Sequence, residues 1–398
     1  MALHSIGLQD RPPPPSEYGG VQLRAASPIR TGLRPEGLRD IETLLDEGIT
    51  GGVFPGAVAL IARGDQVGWQ TARGDAQRTP SRRPANTGTL YDLASLTKIS
   101  AALPVAVSLW QQDRLDLDAR VGSVVEEFTA DGREAVTFRH LLAHTSGLPA
   151  WKALYLEGTT PEAILAAVCR TPLSAAPGTA VEYSDLGILL LGAAMERIAG
   201  RRIDALVREW VVAPLGLTDT MYTPAQSLWG RCAATEEGNV YERDKVGAAG
   251  AGFPWREHVL CGEVHDGNAH YGLQGIAPHA GLFSTAWDVG TLALQWLRPG
   301  RLLMEAAVRE ATADQRRGAD GYPRGLGWVL HHEGTFFEAL GPRAFGHTGF
   351  TGTSVAVDPD EDLIVVLLTN RVHLGGGNTK IQEFRPRFHA AVARAARR

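Results

Sequence analysis

Ser95-Leu96-Thr97-Lys98 sets a hydroxyl three residues ahead of an amine. Positions i and i+3 of a helix lie on one face, so the amine can reach the hydroxyl. A serine attacks a carbonyl only when a partner removes its proton. Four lysines (Lys98, Lys152, Lys245, Lys380) stand among 39 lysines and arginines, and the other 35 are arginines. A guanidinium keeps its proton at working pH, whereas a buried ammonium can release it. With Leu93, Ala94, Leu96 and Ile99 around it, Lys98 is expected to be desolvated and to hold its proton less tightly than usual. If Ser95 opens the helix, the N-terminal N–H groups point at any oxyanion formed there. Alone, the tetrapeptide also fits a helix-capping serine beside a surface lysine.

Two later stretches add chemistry. Tyr183-Ser184-Asp185 precedes the apolar run Leu186–Gly192. Tyr183 can serve as a phenolic acid or base and Asp185 as a polar contact to substrate or to the Ser–Lys pair; an N-cap with a core aromatic also fits. His347-Thr348-Gly349-Phe350-Thr351-Gly352 leads into a strand at Ser354. Glycines at a strand edge let backbone approach a ligand and offer it N–H groups, although a Gly-rich turn with a solvated histidine fits as well.

Around these stretches the pattern is strand, helices, strand. Gly56–Ala62 reads as a strand, Gly64-Asp65 as a turn and Gln66–Thr71 as its hairpin partner. Ser354–Val357, Asp358-Pro359-Asp360 and Leu363–Thr369 repeat that pattern near the other end. Helical spacing marks Leu38, Ile41, Leu44 and Leu45 after Pro35, and Phe384, Phe388, Val392 and Ala395 after Ile381. Between them helices are expected at Ile99–Gln112, Pro161–Cys169, Gly187–Ile198 and Ile203–Val211. The expected fold is therefore α/β (α+β), with a central antiparallel sheet built from both chain termini, flanked by helices, and an inserted helical lobe. The expected divisions are a Pro-rich tail over 1–35, a sheet domain over 36–98 and 280–398, and a helical lobe over 99–279.

A chain of 398 residues can hold two core-bearing units. Its 44% hydrophobic and 21% charged residues suit a globular protein. A net charge of −5 gives no reason to expect nucleic acid or an anionic membrane as partner. The apolar run Leu186–Met195 is too short to insert across a bilayer. Three scattered cysteines (Cys169, Cys232, Cys261) suit a reducing compartment. The first residues, with Pro12–Pro15, show neither a basic nor an apolar leader region, so a cytoplasmic location is expected.

The three stretches, in this order, resemble the serine β-lactamase and penicillin-binding protein superfamily. The nearest group is the class C β-lactamase-like one, with its esterases and D-amino-acid peptidases. The resemblance covers about residues 36–398 and includes Phe54–Val58, Leu115–Asp118, His140–Pro149, Pro214–Met221 and Gly281–Thr285. Pro104 also falls where such sequences often carry a proline. The resemblance implies an acyl-enzyme on Ser95, with Lys98 and Tyr183 sharing proton transfer. It implies an oxyanion hole from the backbone N–H groups of Ser95 and Phe350, and substrate contacts from Asp185, His347, Thr348 and Gly349. Water then releases the acid.

Two positions depart from the family pattern. Asp185 stands where most members have asparagine, and His347 where β-lactamases and transpeptidases have lysine. An ionised carboxylate only accepts hydrogen bonds, and neutral imidazole holds a substrate carboxylate less well than an ammonium. The expectation is a serine hydrolase for a small ester, amide or peptide, closer to esterases and peptidases than to efficient β-lactamases. D-alanyl-D-alanine carboxypeptidase or β-lactamase activity is the alternative; a non-hydrolytic penicillin-binding sensor or scaffold is the rival of another class. No cofactor is expected. Glu263–His270 with His279 is rich in ligand-type residues but lacks a metal spacing, so no metal is expected and the segment is read as lining or bracing the cleft. Gly375–Lys380 lacks the phosphate-loop spacing and reads as a mobile turn before the last helix, and no G-x-S-x-G elbow competes for the nucleophile. Oligomeric state is left open.

Overall fold

The two expected hairpins, over 56–71 and 354–369, are both present. In the computed structural model, which describes residues 21–300 and 302–397, one sheet gathers both ends of the chain. Its strands are β1 (Arg24–Ala25), β2 (Gly56–Arg63), β3 (Gln66–Gln77), β4 (Arg83–Pro84), β5 (Val329–Leu330), β6 (Phe345–Thr348), β7 (Ser354–Asp358) and β8 (Leu363–Thr369). The order is β1-β3-β2-β8-β7-β6-β5, with β4 on β3. The seam between the two ends is the antiparallel pair β2–β8, in which Ala57 to Arg63 face Thr369 to Leu363.

Both faces of these strands are covered, so they read as nearly unbroken apolar runs. Ala57, Ala59, Ile61, Val365 and Leu367 face helices Pro35–Thr50 and Ile381–Ala396. The alternate residues Val58, Leu60, Ile364, Val366 and Leu368 join a larger core that continues into the helices of the middle segment, including Leu109 and Leu190.

Two expectations need correction. The sheet is not wholly antiparallel, because β1 runs parallel to β3. Part of the segment expected as tail is also packed: Leu23 and Leu33 are buried, which anchors residues around β1 to the sheet. The remainder of that tail reading, including Pro12–Pro15, lies outside the described residues. One helix outside the expected set, Ala286–Leu297, covers the sheet; all its residues except Trp287 are buried, so no polar face marks its period.

The helix after Ser95 is irregular. Lys98–Ala102 forms a wide π-type turn, and a regular helix follows over Leu103–Gln111. Pro104, which has no N–H to donate, lies in the first turn after that widening. No helix among the described residues is long and apolar enough to cross a membrane.

Candidate active site

Ser95 lies at the start of its helix after Ala94, which takes φ +46°. That left-handed backbone is strained for a residue with a Cβ. Buried Asp92 holds it, accepting from Ala94 N (2.9 Å) and from His265 N (2.8 Å). Strand pairing of Tyr91-Asp92 with Phe283-Ser284 fixes the approach, and Leu282 N donates to Thr97 Oγ1 (3.2 Å). The Gly281–Thr285 segment therefore braces the serine turn.

Lys98 is fully buried. Its Nζ donates to Ser95 Oγ (2.9 Å) and to the His279 carbonyl (3.1 Å), and pairs with Asp185 Oδ1 at 2.7 Å. It also stands 5.0 Å from the Tyr183 ring centre. The surface-lysine alternative is thus excluded, and Ser95, Lys98, Tyr183 and Asp185 are brought together.

The middle stretch is held from behind by His140–Pro149. His144 Nδ1 accepts from Ser184 N (3.0 Å), Ser184 Oγ donates to Pro149 O (2.8 Å), and Asp185 N donates to Ala150 O (2.9 Å). Ser184 Oγ also accepts from Gly187 N (3.1 Å), capping the helix that Asp185 opens. The Tyr183 hydroxyl is buried without a protein partner among the described residues. Its ring lies between His144 and His347, at 4.6 Å and 5.8 Å between ring centres.

The third stretch is β6 and the turn beyond it. Thr351 Oγ1 donates to Asp92 O (2.8 Å) and Thr353 Oγ1 to Leu93 O (3.0 Å), tying this turn to the serine turn. Gly349 permits the approach, because a Cβ there would lie 2.5 Å from Leu93 O. Among the described residues, neither Ser95 N nor Phe350 N donates to a protein acceptor. His347 is buried rather than solvated, and its Nδ1–H donates to Thr348 O (2.8 Å). Its Nε2 has no protein partner among the described residues.

The electrostatics reverse one expectation. Burial does oppose the charge on Lys98, but the Asp185 carboxylate and Tyr183 outweigh it, so the lysine holds its proton more tightly than usual. Burial keeps the Tyr183 phenol protonated against the opposing pull of Lys98. Burial, then Arg324 and Lys98, hold His347 and His144 neutral, well below the ordinary histidine range. The resting site thus has an ammonium, a neutral phenol and neutral imidazoles.

Ser95, Tyr183, Asp185 and His347 line a cleft of about 680 Å³ that also includes Trp151, Glu242, Lys245, Asp266, His279, Arg324 and Gly376. Asp185, Asp266 and His279 each bring a ligand-type atom within 4.8 Å of the others. The cation these acids face is the Lys98 ammonium. Burial raises the Asp266 carboxyl, but His279, the Ala269 N–H and Lys98 pull it down to about 2. Burial and Asp266 instead push Glu242 up to about 7. His265, from the same ligand-rich segment, pairs with Glu236 (3.0 Å). Gly375–Lys380 is a cleft wall, with Arg371 Nη1 donating to Gly376 O (3.1 Å).

Arg324 is the residue that sequence reasoning missed. It is fully buried, lines the cleft and pairs with no carboxylate among the described residues; its Nε has no acceptor. It stands 5.7 Å from the Tyr183 ring centre.

Comparison with known proteins agrees with this geometry. The Beta-lactamase family model matches residues 41–384. A protein of Escherichia coli (strain K12) named "Putative D-alanyl-D-alanine carboxypeptidase" is 33% identical over 387 residues, covering 88% of this chain and 86% of that protein. An "N-acetylmuramyl-L-alanine amidase" of Bacillus subtilis (strain 168) is 32% identical over 369 residues, covering 84% and 81%. Among solved structures, "EstCE1, a hydrolase with promiscuous acyltransferase activity" matches with a TM-score of 0.71 at 22% identity, covering 92% of this chain and 99% of that one. The chain therefore belongs to the beta-lactamase family and is a serine hydrolase of the β-lactamase and penicillin-binding type.

Proposed function

We propose that the protein cleaves small esters, amides or peptides through an acyl-enzyme on Ser95. The observation that carries this reading is the 2.9 Å contact of Lys98 Nζ with Ser95 Oγ beside two free N–H groups, those of Ser95 and Phe350. Ser95 Oγ attacks the substrate carbonyl while Lys98 and Tyr183 manage its proton. The Ser95 and Phe350 N–H groups receive the oxyanion, the interaction on which such acyl transfers depend most. Asp185, His347, Thr348 and Gly349 line the cleft as substrate contacts. The leaving group departs with a proton, and water then releases the acid.

Neutral, buried His347 gives a β-lactam carboxylate no ammonium at the position where β-lactamases of this type carry lysine, which supports an esterase or peptidase over an efficient β-lactamase. A second reading, a D-alanyl-D-alanine carboxypeptidase, is favoured by Arg324, whose unpaired charge in the cleft suits a substrate carboxylate. The printed name of the Escherichia coli relative points the same way. The three free cysteines support a reducing compartment, the cytoplasm, as its location. We also propose that the cleft lies between a sheet unit, 36–98 and 280–398 with β1 added from the preceding segment, and a helical lobe over 99–279.

The test is kcat/KM for a p-nitrophenyl ester, a chromogenic cephalosporin and a D-Ala-D-Ala peptide. Highest efficiency on the ester or the peptide supports the respective reading. Highest efficiency on the cephalosporin contradicts both. Tight acylation without turnover on any of them would place the protein with the sensors.

A further inference from the structure

We propose that Asp185 is the terminal proton acceptor of the serine site, so that Ser95, Lys98 and Asp185 form one relay. The inference rests on the reading of Ser95 as nucleophile and adds a role for the position that departs from the family pattern. Lys98 Nζ meets Ser95 Oγ at 2.9 Å, the His279 carbonyl at 3.1 Å and Asp185 Oδ1 at 2.7 Å, and the Tyr183 phenol also lies close enough to favour its charge. A carbonyl and a carboxylate can only accept. One N–H of the lysine is therefore committed to His279 O, and Asp185 Oδ1 lies at ion-pairing distance with no other partner among the described residues. In the resting ammonium another N–H lies on Ser95 Oγ, and no lone pair is left to take the serine proton.

Asp185 removes that obstacle. An Nζ–H proton passes to Asp185 Oδ1, and rotation about Cε–Nζ aims the freed lone pair at Ser95. Nζ then takes the Oγ proton as the Oγ–C bond forms and the carbonyl π electrons move onto oxygen. When the intermediate collapses, the lysine proton goes to the leaving group and the Asp185 proton returns to Nζ. Each proton is accounted for and no outside reagent enters. Asparagine holds the same shape and can accept a hydrogen bond from Nζ, but it cannot take the proton.

The groups facing Lys98 suit this assignment. Asp266 and His279, from the segment packed against the lysine, bond to each other at 3.1 Å, and Asp266 Oδ1 also accepts from Ala269 N. Asp266 feels the ammonium as well, but these two contacts already occupy its Oδ1. Tyr183 presents a ring 5.0 Å from Nζ. His144, His347 and Arg324 lie against that ring and supply no carboxylate. Asp185 is the one carboxylate paired with Nζ among the described residues.

The experiment is the pH profile of kcat/KM for wild type, Asp185→Asn and Asp185→Glu, with a p-nitrophenyl ester read at the nitrophenol isosbestic wavelength. Circular dichroism and thermal melting establish that each variant is folded. Asp185→Asn is expected to lose at least about 30-fold at pH 7, and its acid limb should move up by at least one unit, because an unassisted lysine must first lose its own proton. Asp185→Glu should keep the wild-type limb. Should the asparagine variant not fold, Asp185→Ser carries the same expectation. An acid limb that stays in place or moves down on losing the carboxylate overturns the relay, since Asp185 would then only load Lys98 with a proton or support the fold. Intact mass of wild type after ester treatment separates the two claims. An adduct on Ser95 with an unmoved limb sinks the relay alone, whereas turnover without acylation of Ser95 sinks the underlying reading.

Discussion

Gly349→Ala tests whether the approach of the β6 turn to the serine turn builds the oxyanion site. A Cβ at this position would lie 2.1 Å from Thr353 Oγ1 and 2.5 Å from Leu93 O. Neither neighbour yields freely, because Thr353 Oγ1 donates to Leu93 O at 3.0 Å and Gly349 N donates to Thr353 O at 2.8 Å. On the far side Arg385 Nη2 donates to Gly349 O (2.7 Å), so the turn is held from both directions. Relief to ordinary van der Waals separation, roughly 3.5 Å, requires the turn to retreat by about 1 Å. Phe350 N–H follows Gly349 and moves with it. A displacement of about 1 Å can lower the rate about 100-fold, in the range found on removing one oxyanion donor. The expected loss is therefore about 100-fold in kcat, or ~2.7 kcal/mol of transition-state stabilisation. Overpacking should also lower stability by about 1–3 kcal/mol. The assay is steady-state hydrolysis of a p-nitrophenyl ester, with thermal melting to establish that the variant is folded. A folded Gly349→Ala enzyme that keeps more than about a third of wild-type kcat would refute this account of the turn.

Two further predictions follow from buried charge, besides those for Asp185. His389 is fully buried, and burial, then Arg385, hold it down at about 4 against an assistance from the Arg385 carbonyl. The folded state binds fewer protons here than the unfolded state, so its contribution is complete above about pH 6.5 and is lost as pH falls toward 4. Between pH 7.5 and 5 this one residue should withdraw about 2 kcal/mol, measured by urea unfolding. His144 and His347 act with the same sign, and His389→Gln should flatten the slope; equal stability at both pH values would contradict the reasoning. For Arg324→Gln, loss of a charge-assisted contact should raise KM for a D-Ala-D-Ala peptide about tenfold or more and leave a neutral ester almost unaffected. An equal effect on both substrates would count against a carboxylate contact.

The legible parts of the chain were those with local physical signatures. Ser95 and Lys98 could be paired because three residues bring them onto one helical face, and the Lys98–Ser95 contact is 2.9 Å. The β2–β3 and β7–β8 hairpins followed from apolar runs on either side of turn residues, and β8 matched over Leu363–Thr369. Helix Ala286–Leu297 stayed hidden because burial on nearly every side removes the polar face that periodicity needs. The apolar neighbours of Lys98 point to a depressed amine, yet burial is outweighed by Asp185, remote in sequence and 2.7 Å away in space, together with Tyr183. The segment His140–Pro149 was visible as a pattern, but not its work, which is to hold Ser184 through His144 and Pro149. Arg324 offered no signal among 35 arginines. Its distinction is that it is buried with no carboxylate partner among the described residues, and only packing reveals that.

The central claim is that Ser95 carries the acyl group. Wild type and Ser95→Ala should each be quenched in acid during turnover of a p-nitrophenyl ester, and the adduct mapped by peptide mass spectrometry. The expected result is one acyl group on the peptide containing Ser95 in wild type, with neither adduct nor turnover in Ser95→Ala. Undiminished turnover by a folded Ser95→Ala protein, or an acyl group mapped to another residue, would contradict the account.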